Sequence, residues 1–93
     1  MKIYELTLVL TEEIGKDERK QKKLVEELLT EVKAKVKEKN VLGVRELAYK
    51  IKKQTKGWYG IFTIEMAETK IMELEKEIGL KEEILRYLII VKE

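Results

Sequence analysis

Residues 2–10, "KIYELTLVL", alternate apolar and polar like a half-buried strand, with Tyr4, Leu6, Leu8 and Leu10 on one face and Glu5 and Thr7 on the other. "TEEIGKDER" breaks the alternation, with Gly15 as punctuation. From Asp17 to Glu31 the apolar residues recur at helical spacing: Leu24, Leu28 and Val32 at i, i+4 and i+8, beside Val25 and Leu29. Asp17 and Glu18 put negative charge where a helix N-terminus favours it. "RKQKK" adds no apolar face and reads as solvated helical surface, a phosphate-facing patch being the lesser alternative. Val32, Ala34 and Val36 then alternate with Lys33, Lys35 and Lys37, which predicts a second strand running, interrupted near Asn40, to about Lys53. "QTKG" turns the chain, and residues 58–66 return as a third strand with Phe62, Ile64 and Met66 on one face. Ile71, Leu74 and Ile78 predict a helix over 68–78 that stops at Gly79. Residues 84–92 close the chain as a fourth strand.

Within the second strand, "GVRELAYKIKK" changes phase. Leu42 and Val44 alternate in one register, Leu47, Tyr49 and Ile51 in the other, with Arg45 and Glu46 at the break. One inserted residue swaps which side chains face inward, so the break predicts a β-bulge at Arg45 and Glu46. Charges and bulges on an edge strand also stop it pairing with other chains.

The order βαββαβ covers the chain as a single domain, residues 1–93. It predicts an α+β, ferredoxin-like split-βαβ fold: a four-stranded antiparallel sheet in order 2-3-1-4 with two helices on one face. Leu6, Leu8, Leu28, Phe62, Ile64, Leu74 and Ile89 are the expected core, with Trp58 and Tyr4 packing in or beside it. Tyr59 and Ile61 are expected on the helix-free face, as a covered apolar patch or subunit contact; the interleaved aromatic and basic signature of sheet-based RNA modules is absent.

Composition narrows the chemistry. The 93 residues include no Cys, His, Ser or Pro. Ser/His and Cys/His catalytic pairs, disulfides and thiolate or imidazole metal sites therefore cannot be built. The one Asp (Asp17) and 17 Glu lie in charged, solvated-looking stretches that do not suit a carboxylate mechanism. Twenty Lys and Arg against 18 Asp and Glu leave +2, too little for a binder that relies on bulk counterion release. Any RNA site must rest on a few local contacts. The Lys and Glu bias is shared by hyperthermophile surfaces and idealised engineered sequences. With no signal peptide and no apolar run near ~18 residues, a soluble, cytoplasmic protein is expected.

Three blocks, "YELTLVL", "GVRELAYKIKK…GWYGIFTIEM" and "ILRYLIIVKE", resemble the family of bacterial small-subunit ribosomal proteins conventionally numbered six. The similarity spans the chain in order, and the Gly-x-Arg-x-Leu-Ala-Tyr core followed by a Gly-aromatic strand is its most specific part. The resemblance implies the same ferredoxin-like fold and no enzymatic activity or cofactor. It also implies binding to the central domain of small-subunit rRNA, as a heterodimer with ribosomal protein eighteen, on the cytoplasmic ribosome. The sequence departs from the family in carrying Lys50 where Pro usually follows Leu-Ala-Tyr, and in lacking an extended tail beyond Glu93.

Arg occurs three times, at positions 19, 45 and 86, and its planar fork suits phosphate in a way Lys does not. Two of the three lie in resembling blocks. Arg45, with Glu46, Leu47, Tyr49 and Lys50 on the edge strand, is expected to meet the protein partner. Arg86 in the last strand is expected beside Lys2, the two forming with Lys92 one small basic site for the rRNA backbone. The alternative for each charge is a surface pair with a neighbouring Glu. The alternative function is a ferredoxin-like interaction or oligomerisation module that does not bind RNA.

Overall fold

The structure is a computed structural model that describes residues 1–92. It contains β1 (Lys2–Thr11), α1 (Glu12–Lys16), α2 (Glu18–Glu31), β2 (Lys35–Ile51), β3 (Gln54–Met66), a 3-10 turn at Glu68–Lys70, α3 (Ile71–Gly79) and β4 (Ile84–Lys92). The strands form one sheet in the order β2-β3-β1-β4, each neighbouring pair antiparallel. This is the expected ferredoxin-like α+β arrangement, with the predicted bounds of β4 reproduced.

Alternation along β1 decides where the core lies. Tyr4, Leu6, Leu8 and Leu10 are fully buried and meet Leu24, Val25, Leu28 and Leu29 of α2 and Leu74 and Ile78 of α3. β3 contributes Trp58, Phe62, Ile64 and Met66 to the same side, in register with β1. Of the expected core only Ile89 differs: it packs on the cluster but stays half-exposed, because β4 is an edge strand beneath a helix of nine residues.

The stretch read as a break is a helix. The Thr11 hydroxyl accepts from Ile14 N–H at 3.4 Å and opens α1; the Asp17 carboxylate accepts from Lys20 N–H at 3.2 Å and opens α2. Gly15 is not punctuation. A Cβ there would lie 2.1 Å from Cβ of Trp58, so the missing side chain lets α1 press onto the indole. The Gly15 carbonyl also accepts from the buried Gln21 side chain at 2.8 Å.

β2 starts later than alternation suggests. Val32 is the fully buried end of the α2 stripe rather than a strand residue, and Lys33, at φ 55°, turns the chain out of the helix. Pairing with β3 then shifts at three places: between Val36 and Glu38, between Val41 and Gly43, and between Glu46 and Ile51. Arg45 and Glu46 themselves pair with Gly57 and Lys56. The irregularity lies directly after them, where the step from Glu46 to Ile51 opposes only the step from Lys56 to Gln54; the predicted break is displaced by a residue or so. A separate bulge falls at Leu42, where Gly43 takes φ 82°, a conformation in which a residue with a side chain would be strained.

The hairpin turn also differs. Lys52 and Lys53 occupy it with φ 49° and 68°, and "QTKG" is the start of β3. Two positive φ angles in a two-residue connection match the twist of the flanking strands. Asn-Gly fills such turns readily; each Lys there is strained by about 1–2 kcal/mol.

Candidate nucleic-acid and partner interface

With α2 and α3 on one side, the other side of the sheet carries the alternate residues. These are Thr7 and Val9 of β1, Tyr59 and Ile61 of β3, and Arg86, Leu88 and Ile90 of β4, as the β1 pairings set them. Leu88 and Ile90 are exposed and Tyr59 and Ile61 half-buried, so the face is apolar along its middle, as expected for the last two.

The end of the β2–β3 hairpin folds over this face. Leu47 is half-buried with Cδ2 3.4 Å from where a Gly57 Cβ would stand, and Val9 Cγ1 is only 2.7 Å from that point. Glycine at 57 therefore opens the slot that these two side chains close. Beyond Leu47, Tyr49 reaches the opposite edge: Arg86 Nη2 donates to its hydroxyl at 2.8 Å, with the guanidinium carbon 5.3 Å from the ring centroid. β2 and β4 are three strand spacings apart, roughly 14 Å, so the hairpin end crosses β3 and β1 to make this contact.

Arg86 thereby joins the hairpin instead of Lys2. Arg86 pairs with Val9, whereas Lys92 pairs with Ile3, beside Lys2. Lys92 and Arg86 are thus separated by roughly 20 Å along the strand. The expected basic site of Lys2, Arg86 and Lys92 is split between the two ends of the sheet. Lys2 pairs with Glu68 at 3.3 Å and Lys92 with Glu5 at 3.8 Å, as the surface-pair alternative anticipated for them. Arg86 forms no ion pair among the described residues, and its partner is a phenol.

Arg45, Glu46, Leu47, Tyr49 and Lys50 do form one contiguous segment, exposed except at Leu47. Arg45 turns its Nη1 back onto the Val44 carbonyl at 3.3 Å. Reading the sequence missed the tie between Tyr49 and Arg86, which lie 37 positions apart. The one available hint was the excess length of β2, 17 residues against 13 in β3.

The remaining concavities are lined largely by charged side chains, for example Glu26, Glu27, Glu31, Glu77 and Lys81 between α2 and α3. Among the described residues no group of carboxylates is arranged to hold a metal ion, and no helix is long and apolar enough to cross a membrane. On the helix side, the Tyr87 hydroxyl donates to Glu75 Oε2 at 3.1 Å. That bond to a carboxylate is the main reason its pKa lies above the ordinary tyrosine value, with desolvation and the charge of Glu75 adding to it.

A ferredoxin-like sheet with an exposed apolar face and a charged hairpin folded over it defines a small α+β binding domain. The chain belongs to the ribosomal protein S6 family, whose description matches residues 3–91. It is 35% identical over 91 residues to the small ribosomal subunit protein bS6 of Campylobacter jejuni, covering 97% of this chain and 73% of that protein. It is 40% identical over 63 residues to bS6 of Treponema denticola, 68% of each chain. The crystal structure of 30S ribosomal protein S6 from Thermotoga maritima superposes with a TM-score of 0.81 at 25% identity, covering 98% of this chain and 87% of that one.

Proposed function

We propose that this protein is a structural, non-catalytic component of the cytoplasmic ribosome that binds the central domain of small-subunit rRNA together with ribosomal protein eighteen. Family membership over residues 3–91 supports the ribosomal role. The observation that carries the joint binding is the contact between Arg86 and Tyr49. It makes one continuous surface of the residue assigned to RNA and the segment assigned to the protein partner, Arg45, Glu46, Leu47, Tyr49 and Lys50. A partner held on the hairpin and RNA at Arg86 would stabilise the same arrangement of the hairpin, which is a route to cooperativity. Lys2 and Lys92, both already paired, contribute less to RNA binding on this reading.

The test is binding to a central-domain rRNA fragment with and without ribosomal protein eighteen. Tighter RNA binding in the presence of that protein is expected. Self-association with no affinity for RNA would instead favour a plain interaction module.

A further inference from the structure

The β2–β3 hairpin tip is strongly basic. Residues 45–56 hold five cations (Arg45, Lys50, Lys52, Lys53 and Lys56) and one carboxylate, Glu46. Of the 20 Lys and Arg and 18 Asp and Glu in the chain, that leaves 15 cations against 17 carboxylates everywhere else. The rest of the molecule is net negative in sum, although residues 19–23 and 33–39 are also locally basic. All five cations are exposed and none forms an ion pair among the described residues, although Lys56 stands opposite Glu46 in the ladder. Elsewhere on the sheet Lys2, Lys37 and Lys92 pair with carboxylates, whereas Lys35 and Lys39 of β2 form no ion pair among the described residues.

The turn itself adds a second observation. Lys52 and Lys53 are held at positive φ, where Asn and Gly would be unstrained. Strain kept at an exposed turn points to a use for the side chains that impose it. The tip is also anchored, by Leu47 over Gly57 and by Tyr49 against Arg86, so the lysines extend from a fixed ribbon. Below the turn lies a shallow groove lined by Thr11, Gln54, Glu82 and Leu85, in which Glu82 is the acidic neighbour.

We propose that the β2–β3 hairpin tip, through Lys52, Lys53 and Lys56, clamps the phosphate backbone of a double-helical RNA segment. The inference rests on the rRNA-binding reading above and assigns its main electrostatic contact to a place that reading left open. Lysines supply point charges with no fork for reading a base, so the contact is to backbone and indifferent to sequence. A duplex fits better than a single strand. Single strands are held by stacking on free aromatic rings, and the one aromatic near the tip, Tyr49, is engaged by Arg86.

The experiment titrates salt against binding of the central-domain rRNA fragment, with ribosomal protein eighteen present. It compares the wild type with two variants: Lys52, Lys53 and Lys56 all changed to Gln, and the pair Lys52→Asn with Lys53→Gly. The triple variant should flatten the slope of log affinity against log salt by about 3 and bind at least about tenfold more weakly at about 0.1 M salt. The turn pair should unfold at a higher temperature yet bind RNA less tightly, an opposition that a purely structural turn would not produce. If the wild type binds and both variants keep its slope and affinity, the hairpin assignment is wrong and the rRNA reading stands. If the wild type does not bind with or without the partner, both fall together. Tighter binding to vesicles of anionic phospholipid than to RNA would also overturn the assignment.

Discussion

Arg86 and Tyr49, from opposite edges of the sheet, meet through a 2.8 Å hydrogen bond and a guanidinium 5.3 Å from the ring centroid. The pair fixes the end of the hairpin over β1 and β3, and so decides which charges lie together on the helix-free side. Because both residues are exposed, the contact is worth little as global stability but much as geometry.

Its contribution can be isolated by a double-mutant cycle. Arg86→Ala and Tyr49→Ala should each destabilise modestly, with a coupling energy of about 0.5–1 kcal/mol in urea unfolding. Amide exchange at residues 47–53 should quicken in either single variant. Strict additivity, with exchange unchanged, would mean that the contact does not hold the hairpin.

Two core substitutions should fail for opposite reasons. Leu8→Ala empties volume in a fully buried row and should cost about 2–5 kcal/mol. Gly15→Ala adds one methyl where Trp58 Cβ already lies 2.1 Å away, so α1 must lift off; overpacking of this kind costs about 1–3 kcal/mol or more. Trp58 is the single tryptophan, so its fluorescence should shift in the Gly15 variant and much less in the Leu8 variant.

Gly43 separates backbone strain from crowding. A Cβ there would meet no atom within 4 Å, yet its φ is 82°. Gly43→Ala should therefore cost about 1–2 kcal/mol by conformation alone, and Gly43→Asn less, because Asn tolerates left-handed backbone. Equal losses in chemical denaturation would argue that the bulge is not held by its φ.

Tyr87 should make stability depend on alkaline pH. Its folded pKa is raised, chiefly by donating to Glu75, so the fold favours the neutral phenol. The resulting stability is fully present at neutral pH, up to the ordinary tyrosine range, and is lost as pH rises through the raised value. Tyr87→Phe should be slightly less stable than the wild type at neutral pH, with the gap closing at high pH. Thermal unfolding across a pH series measures this; a gap that persists unchanged would exclude the Glu75 contact as its source.

The strands β1 and β4, the helix stripe of Leu24 and Leu28, and the topology that follows were legible because each rests on local repetition. Side chains two apart in a strand, or three and four apart in a helix, share a face whatever the rest of the chain does. The charged segment Arg45–Lys50 was legible as a surface for the same reason. Other features depend on partners far away in the chain. Gly15 reads as a breaker until Trp58 is seen to need its space. Lys52 and Lys53 carry none of the residue preference that marks a two-residue turn, and only the register of β2 on β3 puts the turn there. Lys2 and Arg86 lie on adjacent strands, but antiparallel pairing sets Arg86 against Val9 and sends Lys92 to the Lys2 end. Which cations gather, and which are neutralised by Glu5 or Glu68, is decided by strand register and by the path of the hairpin across the sheet. Periodicity carries no information about either, since shifting a register by two residues leaves every side chain on the same face while changing all of its neighbours.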